Sequence, residues 1–135
     1  MNQHSIVVST PGRGLHEITD SINQLVFKHD AANGLAHIFL QHTSASLILS
    51  ENADPTVLVD LETIISRLAP DADPQYRHDY EGDDDMAAHV RSVLTTNDLM
   101  IPICDRRLAL GRWQGVFLWE HRYQAHQRKI VISII

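Results

Sequence analysis

The chain has 135 residues and a mass of 15.3 kDa, the size of one domain. Its hydrophobic content of 44% and charged content of 21% are typical of globular proteins, which excludes disorder of the whole chain. The net charge of −6 argues against a nucleic-acid-binding protein, because such proteins usually carry a basic face. No apolar run approaches the roughly 20 residues of a membrane span, so no association with a membrane is predicted.

Cysteine usage and the first residues predict a location. Cys104 is the single cysteine, so no disulfide can form within the chain, and this fits a reducing compartment. The opening residues lack the basic start and long apolar stretch of a signal peptide. We therefore predict a cytoplasmic protein, and we interpret Cys104 as a plain buried thiol.

The residue pattern of the first half of the chain predicts strands with one helix between them. An Ile- and Val-rich strand is predicted over 4–9, followed by the breaker Thr10-Pro11-Gly12. Thr19 is expected to cap a helix that runs to about Phe27. Two further strands, 35–41 and 46–50, then lie on either side of the segment His42-Thr43-Ser44.

The second half contains two helices and then strands. Asp54-Pro55 is a good helix opening, and Pro70 ends that helix. A polar loop over 70–85 holds seven acids, and a third helix is predicted over 85–94. The second helix has apolar residues at three- and four-residue spacing, namely Leu58, Leu61, Ile65 and Leu68. The third is expected to bury Met86, Val90, Val93 and Leu94. With strands over 99–103, 107–110, 116–121 and 128–135, we predict one α+β domain over 1–135, with mixed or antiparallel sheets and about three helices.

The segment His42-Thr43-Ser44 lies at a junction between two predicted strands. Such a junction can hold an imidazole and two hydroxyls around one point, although a polar turn explains the same residues. Ser44 is a weak candidate for a hydrolase nucleophile, because no Gly-x-Ser-x-Gly elbow surrounds it. Asp54 is explained as a helix cap, so Asn52 is the better candidate there for a ligand contact.

The window from His78 to His89 is the richest in potential metal ligands. Asp83, Asp84 and Asp85 repel one another, so the run predicts a cation or an arginine partner beyond the helix N-terminus. Asp85 and His89 are four residues apart and project from one face of the predicted helix. Histidine with carboxylate suits Zn, Mn or Fe, whereas carboxylates with phosphate suit Mg. We predict a possible divalent metal ion and no organic cofactor.

The last third of the chain is basic, since residues 106–135 hold six of the eleven lysines and arginines. Arginine binds phosphate oxygens in pairs through its planar guanidinium, so this cluster predicts an oxyanion site. Glu120 is a candidate partner for one of these arginines. His121 follows on a strand face with Phe117 and Trp119, where a hydrogen-bonded core histidine is a more common finding than a ligand.

As a set, these segments resemble the YjbQ family, also described as secondary thiamine-phosphate synthases. The matching stretches are HTSASLILSENADP (42–55), YRHDYEGDDDMAAH (76–89), IPI (101–103), LALG-WQGVFLWEHR (108–122) and RKIVISII (128–135). The resemblance implies a compact α+β domain that assembles as a homotrimer, with its site near subunit boundaries. It also implies weak thiamine-phosphate synthase activity, which joins a pyrimidine methyl diphosphate to a thiazole phosphate and releases pyrophosphate.

The resemblance also assigns site residues, position by position. The positions that match the family's polar signature are His42, Thr43, Ser44, Asn52, Asp54, His78, Glu81, Gly82, Asp84, Asp85, His89, Arg107, Gln114, Glu120, His121 and Arg122. The expected catalytic residues are His42, Glu81, His89 and His121. The expected phosphate or substrate contacts are Thr43, Ser44, Asn52, Arg107, Gln114 and Arg122. We expect His42, His89 and His121 to converge with Asp85 or Glu81 on one Mg, Mn or Zn ion.

Two other functions remain as alternatives to an enzyme acting on a phosphorylated small molecule. One is a homotrimeric module that binds a metal ion or phosphate without catalysis, and the other is a structural trimer whose histidines bond across interfaces. The chain also departs from the family pattern at Arg106 and Arg112, and it lacks a glycine near Thr95-Thr96. The two extra arginines predict an altered substrate preference.

Overall fold

The structure, a computed structural model, describes residues 2–135. In chain order the elements are β1 (Asn2–Thr10), β2 (Gly14–Glu17), α1 (Thr19–His29), β3 (Asn33–Leu40), β4 (Ala45–Glu51), α2 (Pro55–Leu68), α3 (Asp85–Leu94), β5 (Asp98–Cys104), β6 (Arg107–Leu108), β7 (Gln114–Glu120) and β8 (His126–Ile134). Within that described range, no helix combines the length and the apolar character needed to cross a membrane.

The strands form two antiparallel sheets. The larger sheet has the order β1-β8-β3-β5-β6, and the smaller has the order β2-β7-β4. One apolar core joins the two sheets and α1, and its fully buried members include Ile22, Val26, Ile38, Leu47, Leu118, Ile130 and Ile132. The predicted α+β domain with three helices is confirmed, and its sheets are antiparallel.

The register of the smaller sheet determines which of the predicted site residues lie at the same end of the sheet. Ala45 at the start of β4 pairs with Glu120 at the end of β7, and Glu51 at the end of β4 pairs with Gln114. At about 3.3 Å per residue, the two ends of this strand pair lie roughly 20 Å apart. Residues 42–44 and 120–122 therefore share one end of the sheet, and residues 52 and 114 share the other.

The predicted helix cap of α2 is confirmed, whereas the predicted cap of α1 is wrong. The Asp54 carboxylate accepts the Thr56 amide proton at 2.9 Å, as expected of a helix cap. Thr19 is not a cap, because it is already the first helical residue, and its hydroxyl accepts the Val116 amide proton at 2.9 Å. The four-residue strand β2 was not predicted, since Gly14 and His16 weaken the strand pattern.

The predicted burial is wrong for Cys104, Val93 and Leu94. Cys104 is exposed, because it follows buried Ile103 and the alternation of β5 turns its thiol outward. In the apolar stripe of α2, Ile65 is buried, Leu58 and Leu61 are partly buried, and Leu68 is 64% exposed. In α3, Val93 is 83% exposed and Leu94 is 55% exposed.

Helix α3 instead turns its small and charged residues inward, the buried ones being Asp85, Ala87, Ala88 and Arg91. The two alanines allow close approach to β4, whose Ala45 carbonyl accepts the Ser92 hydroxyl at 3.3 Å. Both charged residues have polar partners beneath the helix. The inward face of α3 is therefore specified by hydrogen bonds as well as by apolar contacts.

A buried guanidinium joins α2, α3 and β7. Arg91 has no exposed surface, and its Nε donates to His121 Nδ1 at 2.9 Å. Its Nη2 donates to both carboxylate oxygens of Glu62, at 2.7 and 2.6 Å. Glu62 also accepts the indole proton of Trp119 at 3.1 Å. Glu62 thus neutralises a charge that would otherwise be buried without a partner.

Glu62→Gln is expected to lower the free energy of unfolding by about 3 kcal/mol, because it leaves the Arg91 charge buried and uncompensated. Urea denaturation measures this change. Asp60→Asn, on the exposed side of the same helix, is the control and should stay within about 0.5 kcal/mol of the wild type. Equal losses in the two variants would contradict the importance of the Arg91–Glu62 pair.

Candidate metal centre

Three side chains with metal-ligand chemistry meet where the acidic loop joins α3. Ligand atoms of His78, Asp85 and His89 all lie within 4.8 Å of one another. The Asp85 Oδ2 atom is 2.7 Å from His78 Nε2 and 3.3 Å from His89 Nε2. Asp85 and His89 come from consecutive turns of α3, as their spacing predicts, while His78 comes from the loop. Asp85 is buried, and both imidazoles are about one-third exposed.

The backbone sets the tautomer of His89. Its Nδ1 lies 3.0 Å from the carbonyl oxygen of Thr43, and because a carbonyl can only accept, Nδ1 must donate. With Nδ1 as the donor, Nε2 is the ring nitrogen that faces Asp85. Metal-binding histidines commonly donate their second N–H to a carbonyl in this way. Thr43, predicted as a substrate contact, positions His89 through its backbone.

Arg122 is hydrogen-bonded to the other carboxylate oxygen of Asp85, Oδ1. Its Nη1 donates to Asp85 Oδ1 at 2.7 Å, and its Nε donates to Asp84 Oδ2 at 3.1 Å. Its Nη2 donates to the Glu81 carbonyl at 2.8 Å. Arg122 is therefore the arginine partner that the run of three aspartates predicts.

The same contacts keep Asp85 ionised. Burial alone would raise the pKa of its carboxyl, but the hydrogen bond from His78 and the charge of Arg122 outweigh burial and lower it. The two oxygens have separate partners, since Oδ1 faces the guanidinium and Oδ2 faces the two histidines. A buried, ionised carboxylate between two imidazoles is a suitable anionic ligand for a cation.

The donor set fits a divalent ion. Two imidazole nitrogens and one carboxylate are ligands that Zn, Mn and Fe accept. Because metal–ligand bonds are about 2 Å long, ligands of one ion lie within about 4 Å of each other, close to the spacing seen here. Glu81 lies at the rim, with Oε2 3.0 Å from His78 Nε2. Glu81, Asp85 and His89 are thus the predicted residues that the structure brings together with His78.

His121 lies apart from this cluster, in the core. Its Nδ1 accepts from Arg91, so Nε2 carries the proton and donates to the Ser46 hydroxyl at 2.8 Å. Burial, followed by the charge of Arg91, lowers the pKa of His121 to about 2. The ring is therefore neutral, both of its nitrogens are hydrogen-bonded, and it does not converge with His89 as expected.

His42 is also hydrogen-bonded outside the cluster of His78, Asp85 and His89. Its Nε2 accepts the Lys129 amide proton at 2.8 Å, and its Nδ1 lies 3.3 Å from Arg128 Nη1. Burial and the charge of Arg128 lower the pKa of His42. Arg128 also donates to the Ser44 hydroxyl at 3.0 Å and pairs with buried Glu120. A cation at His42 would face this guanidinium, so the geometry favours His78 over His42 as the second histidine.

The remaining predicted contacts lie elsewhere in the chain. Asn52 donates to Glu17 at 3.1 Å, and Gln114 accepts the Gly111 amide proton at 2.8 Å, both at the far end of the smaller sheet. Arg107 is exposed and lines a groove beside α1. Within one chain, these three residues are therefore separate from the metal centre.

His78 is the ligand that sequence reasoning left out of its metal set. It lies in the same sequence window as Asp85 and His89, but on a loop, where the spacing in sequence does not predict the distance between side chains. Its contact depends on the path of the loop, which returns to α3 through the hydrogen bond from the Ala72 amide to the Asp83 carbonyl at 2.9 Å.

The depressed pKa of His121 predicts how stability depends on pH. Below about pH 6.5 the unfolded chain binds a proton that the folded chain excludes, so stability is lost as pH falls towards 2, by up to about 1.4 kcal/mol per unit. His121→Gln should flatten the plot of unfolding free energy between about pH 6 and pH 4. Urea denaturation at each pH measures the slope, and parallel plots for the two proteins would contradict the prediction.

Curated relatives of the chain cover almost its whole length. It is 47% identical over 133 residues to a UPF0047 protein of Synechocystis, covering 98% of this chain and 90% of that protein. It is 44% identical over 133 residues to the UPF0047 protein YjbQ of Escherichia coli O157:H7, covering 98% of this chain and 96% of that protein.

Solved structures have the same fold. A conserved hypothetical protein of Thermus thermophilus superposes with a TM-score of 0.88 at 36% identity, covering 98% of this chain and 99% of that one. An uncharacterised protein of the YjbQ/UPF0047 family from Clostridium acetobutylicum superposes with a TM-score of 0.84 at 29% identity, with full coverage of both chains. The family profile described as UPF0047 protein YjbQ-like matches residues 4–135, and the chain therefore belongs to the YjbQ-like UPF0047 family.

Proposed function

We propose that this protein is an enzyme that acts on a phosphorylated small molecule with the help of a divalent metal ion bound by His78, Asp85 and His89. One observation carries the proposal. The Thr43 carbonyl fixes the tautomer of His89 so that its free nitrogen faces an ionised, buried carboxylate and a second imidazole. Such preorganisation is typical of a metal site with an oriented outer shell.

The charges around the cluster indicate why a cation is needed. Arg122 is hydrogen-bonded to the carboxylates of Asp84 and Asp85 and to the Glu81 carbonyl. Phosphate would meet net negative charge there. A bound divalent ion would supply the positive charge that attracts phosphate and stabilises a departing pyrophosphate.

Thiamine-phosphate formation is the reaction we propose, because of the resemblance across the chain. In this proposal His78, Asp85 and His89 hold the ion, and Arg122 orients Asp85. Proton transfer falls to Glu81, since its side chain is 56% exposed at the rim of the cluster. The role of Arg122 is thus to position a ligand, since its Nε, Nη1 and Nη2 each donate to the acidic segment.

A second candidate function is a metal-binding module without catalysis. The observation that favours it is the state of the other two predicted catalytic histidines. Both nitrogens of His121 are hydrogen-bonded in the core, and His42 Nε2 is held by a backbone amide. Two groups expected to move protons are therefore committed to structural contacts.

Assembly as a homotrimer is part of the proposal. The outer face of the larger sheet exposes large apolar side chains, among them Val7 at 59%, Leu35 at 40%, Phe39 at 37% and Met100 at 53%. Contiguous exposed apolar surface commonly marks a protein interface.

His89→Gln is expected to weaken binding of Zn or Mn by at least about 100-fold, because even outer-shell changes cost 10–100-fold. Isothermal titration measures the affinity. His16→Gln is the matched control, because a ring nitrogen of His16, Nε2, also lies near a backbone carbonyl, that of Gly12, at 3.1 Å, but His16 is outside the cluster. Equal affinities of wild type and His89→Gln would overturn the metal site.

The same variants separate the two candidate functions when turnover is measured. The enzyme would be supported if thiamine-phosphate formation needs Mg, Mn or Zn, is lost in His89→Gln and persists in His16→Gln. Metal binding without turnover in the wild type would contradict the enzyme and favour the binding module.

Met100→Glu should dissociate the protein, because it places a charge on the apolar face of the larger sheet. Light scattering should give about three times 15.3 kDa for the wild type and a lower mass for the variant. Val59→Glu, at an exposed apolar position on α2, is the control. Dissociation of Val59→Glu alone would place the interface on α2.

A further inference from the structure

Two histidines meet in a groove between β1 and α1, outside the metal centre. The groove has a volume of about 550 Å³. His4 and Ile6 line it from β1, because alternate residues of a strand share a face. Leu25 and His29 line it from α1, because residues four apart share a face of a helix. The ring centroids of His4 and His29 lie 5.7 Å apart, and the ring planes cross at 76°.

The separation of these two rings suits a shared metal ion. An imidazole that binds an ion at about 2 Å has its ring centroid about 3 Å from the ion, so two rings on one ion have centroids about 5–6 Å apart. His78 and His89 of the candidate metal centre have centroids 5.4 Å apart and ring planes at 64°. The two histidine pairs therefore have nearly the same relative arrangement.

His4 has a nitrogen that lacks a partner. Its Nε2 atom is buried and has no hydrogen bond to any of residues 2–135. Ser21 and Gln24 line the same groove with polar side chains, yet neither bonds to this nitrogen. A buried polar atom without a partner costs free energy, which binding of an ion to its lone pair would recover. The ring proton would then lie on Nδ1.

The charges in the groove select the kind of ion. Of the described residues that line it, Lys28 alone is charged, and none is an aspartate or glutamate. Mg and Mn prefer oxygen ligands such as carboxylates, whereas neutral imidazole suits Cu, Zn and Ni, and Cu²⁺ binds most tightly of these. His29 lies in the last turn of α1, where the helix dipole favours a cation and opposes the effect of Lys28.

We propose that His4 and His29 form a second metal site, which binds Cu²⁺ through their two imidazoles. The site does not depend on the proposed function, since it shares no residue with the cluster of His78, Asp85 and His89. The two sites differ in ligand charge, because only the cluster contains a carboxylate. Mn²⁺ should therefore bind at the cluster alone, whereas Cu²⁺ should bind at both.

The test titrates the isotope-labelled protein with Cu²⁺ and, separately, with Mn²⁺. Both ions are paramagnetic and broaden the amide signals of residues close to them, which locates each ion. Cu²⁺ should broaden the signals of residues 3–5 and 28–30 together, and Mn²⁺ should leave those signals sharp. The copper affinity at these residues should fall at least about 10-fold in His4→Gln and in His29→Gln, since even outer-shell changes cost that much.

His16→Gln is the control, because His16 is also a partly exposed histidine but lies outside the groove, and it should keep the wild-type affinity. Unchanged amide signals elsewhere in each variant report that it is folded. Copper retained at residues 3–5 in His29→Gln would show that His4 binds it with the backbone near the N-terminus, and would overturn the shared site. Broadening by Cu²⁺ confined to other residues, or equal broadening of residues 28–30 by Mn²⁺, would also overturn it.

Discussion

The buried carboxylate of Asp85 is the interaction on which the arrangement of the site depends. An ionised group that is only 3% exposed needs compensation, and Asp85 obtains it from Arg122 on one oxygen and His78 on the other. These contacts tie the segment after β7 and the acidic loop to the first turn of α3. Without them, the acidic loop would lose its attachment to the helix, and the two histidines would lose their common neighbour.

Beneath the site, buried charges are paired and hydrogen-bonded. Arg128 with Glu120, and Arg91 with Glu62, hold strand ends and helices together where apolar contacts do not reach. Such pairs add little net stability compared with apolar packing, but breaking one is costly. His121 fits among these cations because it is neutral. These networks leave the polar groups at this end of the smaller sheet with defined orientations.

Helix α3 carries polar groups of different kinds at its two ends. Its ten residues span about 15 Å, with Asp85 and His89 of the candidate metal centre on the first two turns. A concave surface at the last turn is lined by Ser92, Thr95, Thr96 and Asn97. Val93 and Leu94 of α3 are exposed, while Asp85 and Arg91 are buried because they have polar partners inside the protein.

The sequence by itself determined most elements and one ligand pair. Alternation predicted the long strands, Asp54-Pro55 predicted the start of α2, and the four-residue spacing placed Asp85 beside His89, since these signals depend on neighbours along the chain. Only the tertiary structure decided that His78 joins them, that His121 lies in the core, and that Asn52 lies at the opposite end of the β4–β7 strand pair from Thr43. Those outcomes depend on loop path and strand register, which are set by contacts between residues far apart in sequence.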